Sequence, residues 1–197
     1  MFLAPGILNK LMKKAYSSEG LTVAVDKEEW IYLAGNRWQV SVKKEFIPKK
    51  TLGDIIALTG ELPEKGERFR ATKEGNQMET GLPLTVSEEG FENKDMLTIT
   101  DLILFGKEGT AQRLLQDELT GNIYAVNNAF IAIVNNGLID EQNGEHRVEI
   151  PYFNPITGIL WKNNVCKMRA AFRSNDEKNV KIMKNLEGVD ITPEIPG

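Results

Sequence analysis

Acid–base or nucleophilic chemistry in this chain has to start from His146 and Cys166, its one histidine and one cysteine. Imidazole is the side chain that most readily exchanges a proton near neutral pH, and a thiolate beside cations is a strong nucleophile. His146 stands in the polar run NGEHRVE between Glu145 and Arg147, with no partner at the spacing of a catalytic triad or a metal site. It reads as an exposed loop residue. Cys166 stands in NNVCKMRAAF, where alternation puts Lys167 and Arg169 on the face opposite Cys166, Met168 and Ala170. That pattern predicts a small buried thiol rather than an activated one. A hydrolase built on carboxylates or on Cys166 with His146 is kept as an alternative, because sequence separation does not give the distance between the two.

Other chemistries lack their parts. One histidine excludes any two-histidine zinc motif, and no carboxylates group around Cys166, so neither metal nor cofactor is expected. A phosphate cradle needs glycines that let backbone amides converge on the anion. Neither GxxxxGK[ST] nor GxGxxG occurs; GKEGTAQ at 106–112 is the nearest approach and reads as a turn. DEQNGE puts its oxygens and glycine out of register for a calcium loop. Glu92-Asn93-Lys94, within SEEGFENKD, has the E-x-K spacing of some metal nucleases, but it lies in a polar loop and reads with Glu88 and Glu89 as a solvated acidic face.

The stretch KKEFIPKKTLGDIIALTGELPEKGERFR begins as a helix-turn-helix might. Thr51 with Asp54 resembles a capping box, Leu52, Ile55, Ile56 and Leu58 make one apolar side, and Gly60 is a stop. A recognition helix should follow. Instead Pro63, Gly66 and Gly75 punctuate the chain, and ERFRATKE alternates as a strand does. What remains is a set of candidate contact residues for a ligand or partner: Arg37, Lys43, Lys44, Lys49 and Lys50 as a basic patch at a sheet edge, with Trp30 and Trp38 as an aromatic platform or as core.

Charge bounds the partners. The 197 residues carry a net −4, which argues against bulk attachment to nucleic acid or anionic lipid. The distribution is uneven: residues 1–50 hold 9 Lys/Arg against 5 Asp/Glu, and residues 51–150 hold 8 against 18. A single cysteine forbids an intrachain disulfide, no N-x-[ST] sequon occurs, and no run approaches the ~18 apolar residues of a membrane span. In MFLAPGILNKLMKKAYSSEG the lysines lie within and after the apolar part rather than before it, unlike a signal peptide. A cytoplasmic setting is expected.

The elements that would position these groups follow from periodicity. Ile7, Leu8, Leu11, Met12, Ala15 and Tyr16 mark one stripe of a helix, with Lys10, Lys13 and Lys14 largely opposite, and Pro5 and Gly20 punctuate its ends. That helix suits packing on its own sheet, docking to a partner or copy, or lying on a membrane, in that order. LTVAV, WIYLA and RWQVSV alternate as three antiparallel strands, with a tight turn at Gly35-Asn36. A short helix over 51–59 and the strand ERFRATKE come next, then a polar connector from Gly75 to Gly90. MLTITDLILFG and TAQRLLQDELTGNIYAV read as strands. NNAFIAIVNNG carries both helix caps and β-branched residues, and the caps favour a helix. RVEIPYF and GILWKNNVCKMRAAFR give further strands, with a hairpin at Asn163-Asn164, and NDEKNVKIMKNL closes as a helix.

The expectation is an α+β fold of mostly antiparallel sheet, with an N-terminal amphipathic helix, one or two short internal helices and a C-terminal helix. Composition suggests subdomains 1–80 and 91–197, with a boundary near 76–95, or one continuous domain. The leading functional expectation is a non-catalytic binding or interaction protein, working through a protein surface or a ligand pocket. Small, acidic, motif-free inhibitors and accessory proteins of phages and mobile elements are one such class. The alternative is a nucleic-acid-binding accessory protein using the basic residues of 37–50. A homo-oligomer through the N-terminal helix or an edge strand fits either.

Overall fold

The structure, a computed structural model, describes residues 1–81, 83–91, 97–106, 109–148, 150–172 and 177–193. It is α+β: antiparallel sheets with helices that include one near each end of the chain. Helix α1 (Pro5–Ser17) opens with Pro at its first turn, where a missing N–H costs nothing. Leu8, Leu11, Met12 and Ala15 are buried on the sheet side, while Lys10, Lys13 and Lys14 are exposed. The helix ends where Gly20, at φ +96°, donates its N–H to Ala15 O. A Cβ there would sit 2.6 Å from Arg70 Cγ, so glycine is required twice over.

Strands β1 (Leu21–Val25), β2 (Trp30–Gly35) and β3 (Trp38–Lys43) form the expected meander. The β2–β3 turn consists of Asn36 and Arg37, one residue later than expected, and Arg37 takes the left-handed φ of 66°. Helix α2 (Lys49–Thr59) starts two residues before the expected Thr51 cap. Pro48 stands at its N-cap with no side-chain hydrogen bond, and the buried Thr51 hydroxyl has no partner. Strand β4 (Glu67–Thr72) returns beside β1, and β5 (Gly75–Met78) extends the sheet within a stretch expected to be connector. All four β5 residues are exposed, so the strand had no apolar alternation to reveal it.

A three-stranded sheet follows: β6 (Leu97–Phe105), β7 (Ala111–Asp117) and β8 (Ile123–Asn127), with a bulge in β6 between Ile99 and Ile103. Helix α3 (Asn128–Ala132) is capped by Asn127, as the flanking asparagines predicted, and Val134 just beyond it bridges to Leu3. Strands β9 (Tyr152–Asn154), β10 (Gly158–Lys162) and β11 (Cys166–Ala170) complete the large sheet, and α4 (Glu177–Leu186) follows. The large sheet has eight strands in the order β5-β4-β1-β2-β3-β11-β10-β9, taken from both sides of the polar stretch at 76–95. β3 pairs with β11 from Val42↔Cys166 to Trp38↔Ala170, so β3 is an inner strand and not the edge expected for its lysine.

The main core lies between this sheet and α1–α2. Val23, Leu33, Val40, Phe69 and Met168 are at most 2% exposed, against Leu8, Met12 and Ile55 from the helices. The rings of Tyr124, Phe153 and Phe172 cluster with centroids 4.6–5.8 Å apart, Tyr124 stacked on Phe172 and edge-on to Phe153, and join β8 to β9. No helix among the described residues is long and apolar enough to cross a membrane.

Candidate functional site

The ladder between β2 and β3 separates the sequence-predicted contact residues. Trp30 pairs with Lys43 at one end and Gly35 with Trp38 at the other, five residues or roughly 17 Å away. Arg37 therefore does not join the lysines in one patch. Neither tryptophan offers an exposed platform: Trp38 lies in the main core at 4% exposure, and Trp30 is 9% exposed, beneath Lys43 and Lys167 at 5.7 and 5.0 Å from its ring centroid.

The sheet face away from the helices is unexpectedly cationic. Pairing register places Arg68, Arg70, Lys43, Lys162, Lys167 and Arg169 on it, around Trp30, Tyr32 and Tyr152. Two carboxylates answer them. Glu79 accepts from Arg68 Nε at 2.7 Å and forms an ion pair with Arg70, whose Nε is 2.9 Å away. Glu88 binds Lys162 and accepts from Lys167 Nζ at 2.8 Å. Burial opposes charge on Glu88, yet these lysine hydrogen bonds outweigh it and hold the carboxyl below its ordinary range. Residues 83–91 lie over this face. Arg68 Nη1 donates to Pro83 O, Val86 N–H donates to Ser41 Oγ, and Asn154 Nδ2 donates to Gly90 O. Val86 and Phe91, 2% and 3% exposed, close a second small core with Ala24, Tyr32, Ala34 and Leu160. Arg169 sits 5.4 Å from the Phe91 ring centre. Cations here are structural groups, already paired or resting on rings.

The helical side differs. α1 packs against α2; Lys10, Lys13 and Lys14 are exposed on α1, Lys49 and Lys50 on α2, and Lys44 on the single 3-10 turn (Lys44–Phe46) that leads into α2. Residues 5–17 and 44–59 carry these six lysines against two carboxylates, Glu45 and Asp54, in a chain of net charge −4. Among the described residues none of the six forms an ion pair. Lys44 lies within electrostatic reach of Glu29, and Asp54 follows Lys50 by one turn of α2. Lys49 and Lys50 occupy the first turn of α2, where the helix dipole favours acids, and no acid stands there. Cations in that position cost roughly 0.3–1 kcal/mol each, so folding does not account for their presence.

The potential catalysts are apart in character. Cys166 is fully buried, and burial pushes its thiol far above the ordinary range, away from thiolate chemistry. His146 is exposed, and its backbone is held by the 163–164 turn: its N–H donates to Asn164 Oδ1, and Asn163 Nδ2 donates to its carbonyl. Among the described residues no three His, Cys, Asp or Glu side chains group to hold a metal. Glu92-Asn93-Lys94 lies outside the described residues.

Sequence reasoning missed the cationic sheet face, though part of it was readable. Alternation in ERFRATKE and CKMRA fixes which side Arg68, Arg70, Lys167 and Arg169 take; that Glu79 and Glu88 would return to meet them is not written in any local pattern. Comparison of the chain with protein-family models gives no match, and comparison with curated proteins gives none either.

Proposed function

We propose that this chain is a non-catalytic, nucleic-acid-binding accessory protein, working in the cytoplasm through the outer surface of α1 and α2. The observation that carries this reading is the concentration of six exposed lysines without ion pairs in α1, α2 and the turn that leads into α2, in an acidic protein. Two of them stand against a helix dipole. Unpaired lysines on a convex helical surface suit phosphate groups, each neutralised phosphate releasing condensed counterions. Binding of this kind depends on salt and little on sequence. The test is fluorescence anisotropy with a ~30-base-pair duplex at ~50 and ~200 mM salt. We expect binding that weakens steeply with salt, and its loss when Lys10, Lys13, Lys49 and Lys50 are changed together to Glu. No binding at ~50 mM salt removes the reading.

A second surface favours a protein partner. β6 is an edge strand of the small sheet, and Leu102, Ile103 and Phe105 on it are 44%, 37% and 67% exposed. Apolar side chains beside open backbone donors and acceptors suit a strand added from another chain. Phe105→Glu is expected to abolish capture of a partner from the native host lysate while leaving nucleic-acid binding unchanged. Equal capture by both proteins removes this second reading.

A further inference from the structure

We infer that the cleft beside Arg37 binds a small molecule carrying one anionic group, a phosphate or a carboxylate, on a flat apolar ring. The cleft, about 330 Å³, opens where the end of α1, the β2–β3 turn and the start of α3 meet. That volume is at the lower end of the range for small-ligand sites. Trp38 and Phe130 contribute apolar lining, and Lys14, Arg37, Ser18 and Thr110 contribute polar groups. One carboxylate, Glu19, is at the rim, but it already accepts from Asn36 Nδ2 at 2.9 Å. Lys14 and Arg37 leave the hollow net positive. Another hollow, about 630 Å³, is lined by Asp117, Glu118 and Asp190 among others and has the opposite character.

Arg37 is the informative residue. Its φ of 66° is uncommon for a side chain of this size, and Asn or Gly would take the turn more easily. The guanidinium is steadied by donating from Nη1 to Phe172 O at 2.7 Å, which leaves further N–H groups for a ligand. A left-handed turn holding an anchored arginine beside a cleft that Trp38 helps to line is the arrangement of a pre-organised anion clamp. The cleft shares Lys14 with the proposed nucleic-acid surface, but Arg37 and Trp38 lie outside that surface, and reversing Lys10, Lys13, Lys49 and Lys50 leaves the cleft's lining unchanged.

The test uses the intact chain with AMP and benzoate, each joining a ring to an anion, against adenosine, which lacks the anion, and inorganic phosphate, which lacks the ring. Saturable movement of the Trp38 indole N–H signal in NMR titrations reports binding. AMP or benzoate should bind at least about tenfold more tightly than adenosine or phosphate. Arg37→Asn keeps a residue that tolerates the left-handed turn while removing the cation. It should weaken the ring-plus-anion probe about tenfold with its melting temperature within about 4 °C, as one lost hydrogen bond allows. Lys14→Gln should weaken it less, and Lys49→Gln should not change it. Absence of a saturable Trp38 response to both AMP and benzoate up to ~10 mM overturns the proposal. An unchanged affinity in folded Arg37→Asn also overturns it.

Discussion

The eight-stranded sheet carries positive charge on both sides and treats it in opposite ways. On the side covered by residues 83–91, Arg68, Arg70, Lys162 and Lys167 each meet Glu79 or Glu88, and Lys43 and Arg169 lie by aromatic rings. On the helical side, Lys10, Lys13, Lys14, Lys44, Lys49 and Lys50 are exposed without ion pairs. Paired cations under a covering segment belong to the fold, because removing one partner strands the other in low dielectric. Unpaired exposed cations contribute little to folding and are free to meet an anion. The comparison assigns stability to one side and contact to the other.

Four substitutions test that assignment, beginning with the largest change in stability. Phe91→Ala empties the small core beneath 83–91, where the ring is 3% exposed, and should destabilise by about 3–5 kcal/mol in denaturant unfolding. A loss below about 1 kcal/mol shows that the segment is not anchored there. Arg68→Ala leaves the Pro83 carbonyl without its donor and Glu79 with Arg70 alone; the arginine is 8% exposed, and the expected loss is about 1–3 kcal/mol. On the helical side, reversing Lys10, Lys13, Lys49 and Lys50 to Glu should not lower stability and is expected to raise it by about 1 kcal/mol or more. Glutamates at positions 49 and 50 gain from the α2 dipole that the lysines opposed.

The smallest effect concerns pH. Glu88 has its folded pKa lowered, so its contribution is present above the unfolded value and is lost as pH falls through the lowered folded value. Thermal midpoints measured from pH 7 down to 3 should therefore fall less for Glu88→Gln than for the unchanged chain. Parallel curves show that the Lys162 and Lys167 contacts add no stability.

Much of this arrangement was legible before the structure. Period-3.6 and period-2 patterns located α1, the β1–β3 meander, β4, the β10–β11 hairpin and α4, because their apolar residues recur at helix or strand spacing. The start of α2 was misread because Thr51 looks like a cap, whereas Pro48 sets the chain direction and Thr51 packs inside. β5 carries only exposed residues and gave no periodic signal. The pairing of β3 with β11 joins distant parts of the chain, and no local pattern encodes it. For the site, Lys43, Lys44, Lys49 and Lys50 were visible as a cluster, and Lys10, Lys13 and Lys14 as the outer stripe of a helix. Their union depends on α1 lying against α2, while Lys43 falls on the other side of the sheet with Trp30.

The central claim is that the six lysines of α1, α2 and the turn before α2 are a phosphate-binding surface. The most direct measurement is the slope of log affinity against log salt for a ~30-base-pair duplex, with the unchanged chain and with the four-lysine reversal. Six lysines engaged give a slope of about −5, falling to about −2 when four are reversed, with affinity at ~50 mM salt down at least ~100-fold. Equal slopes and affinities for the two folded proteins contradict the claim.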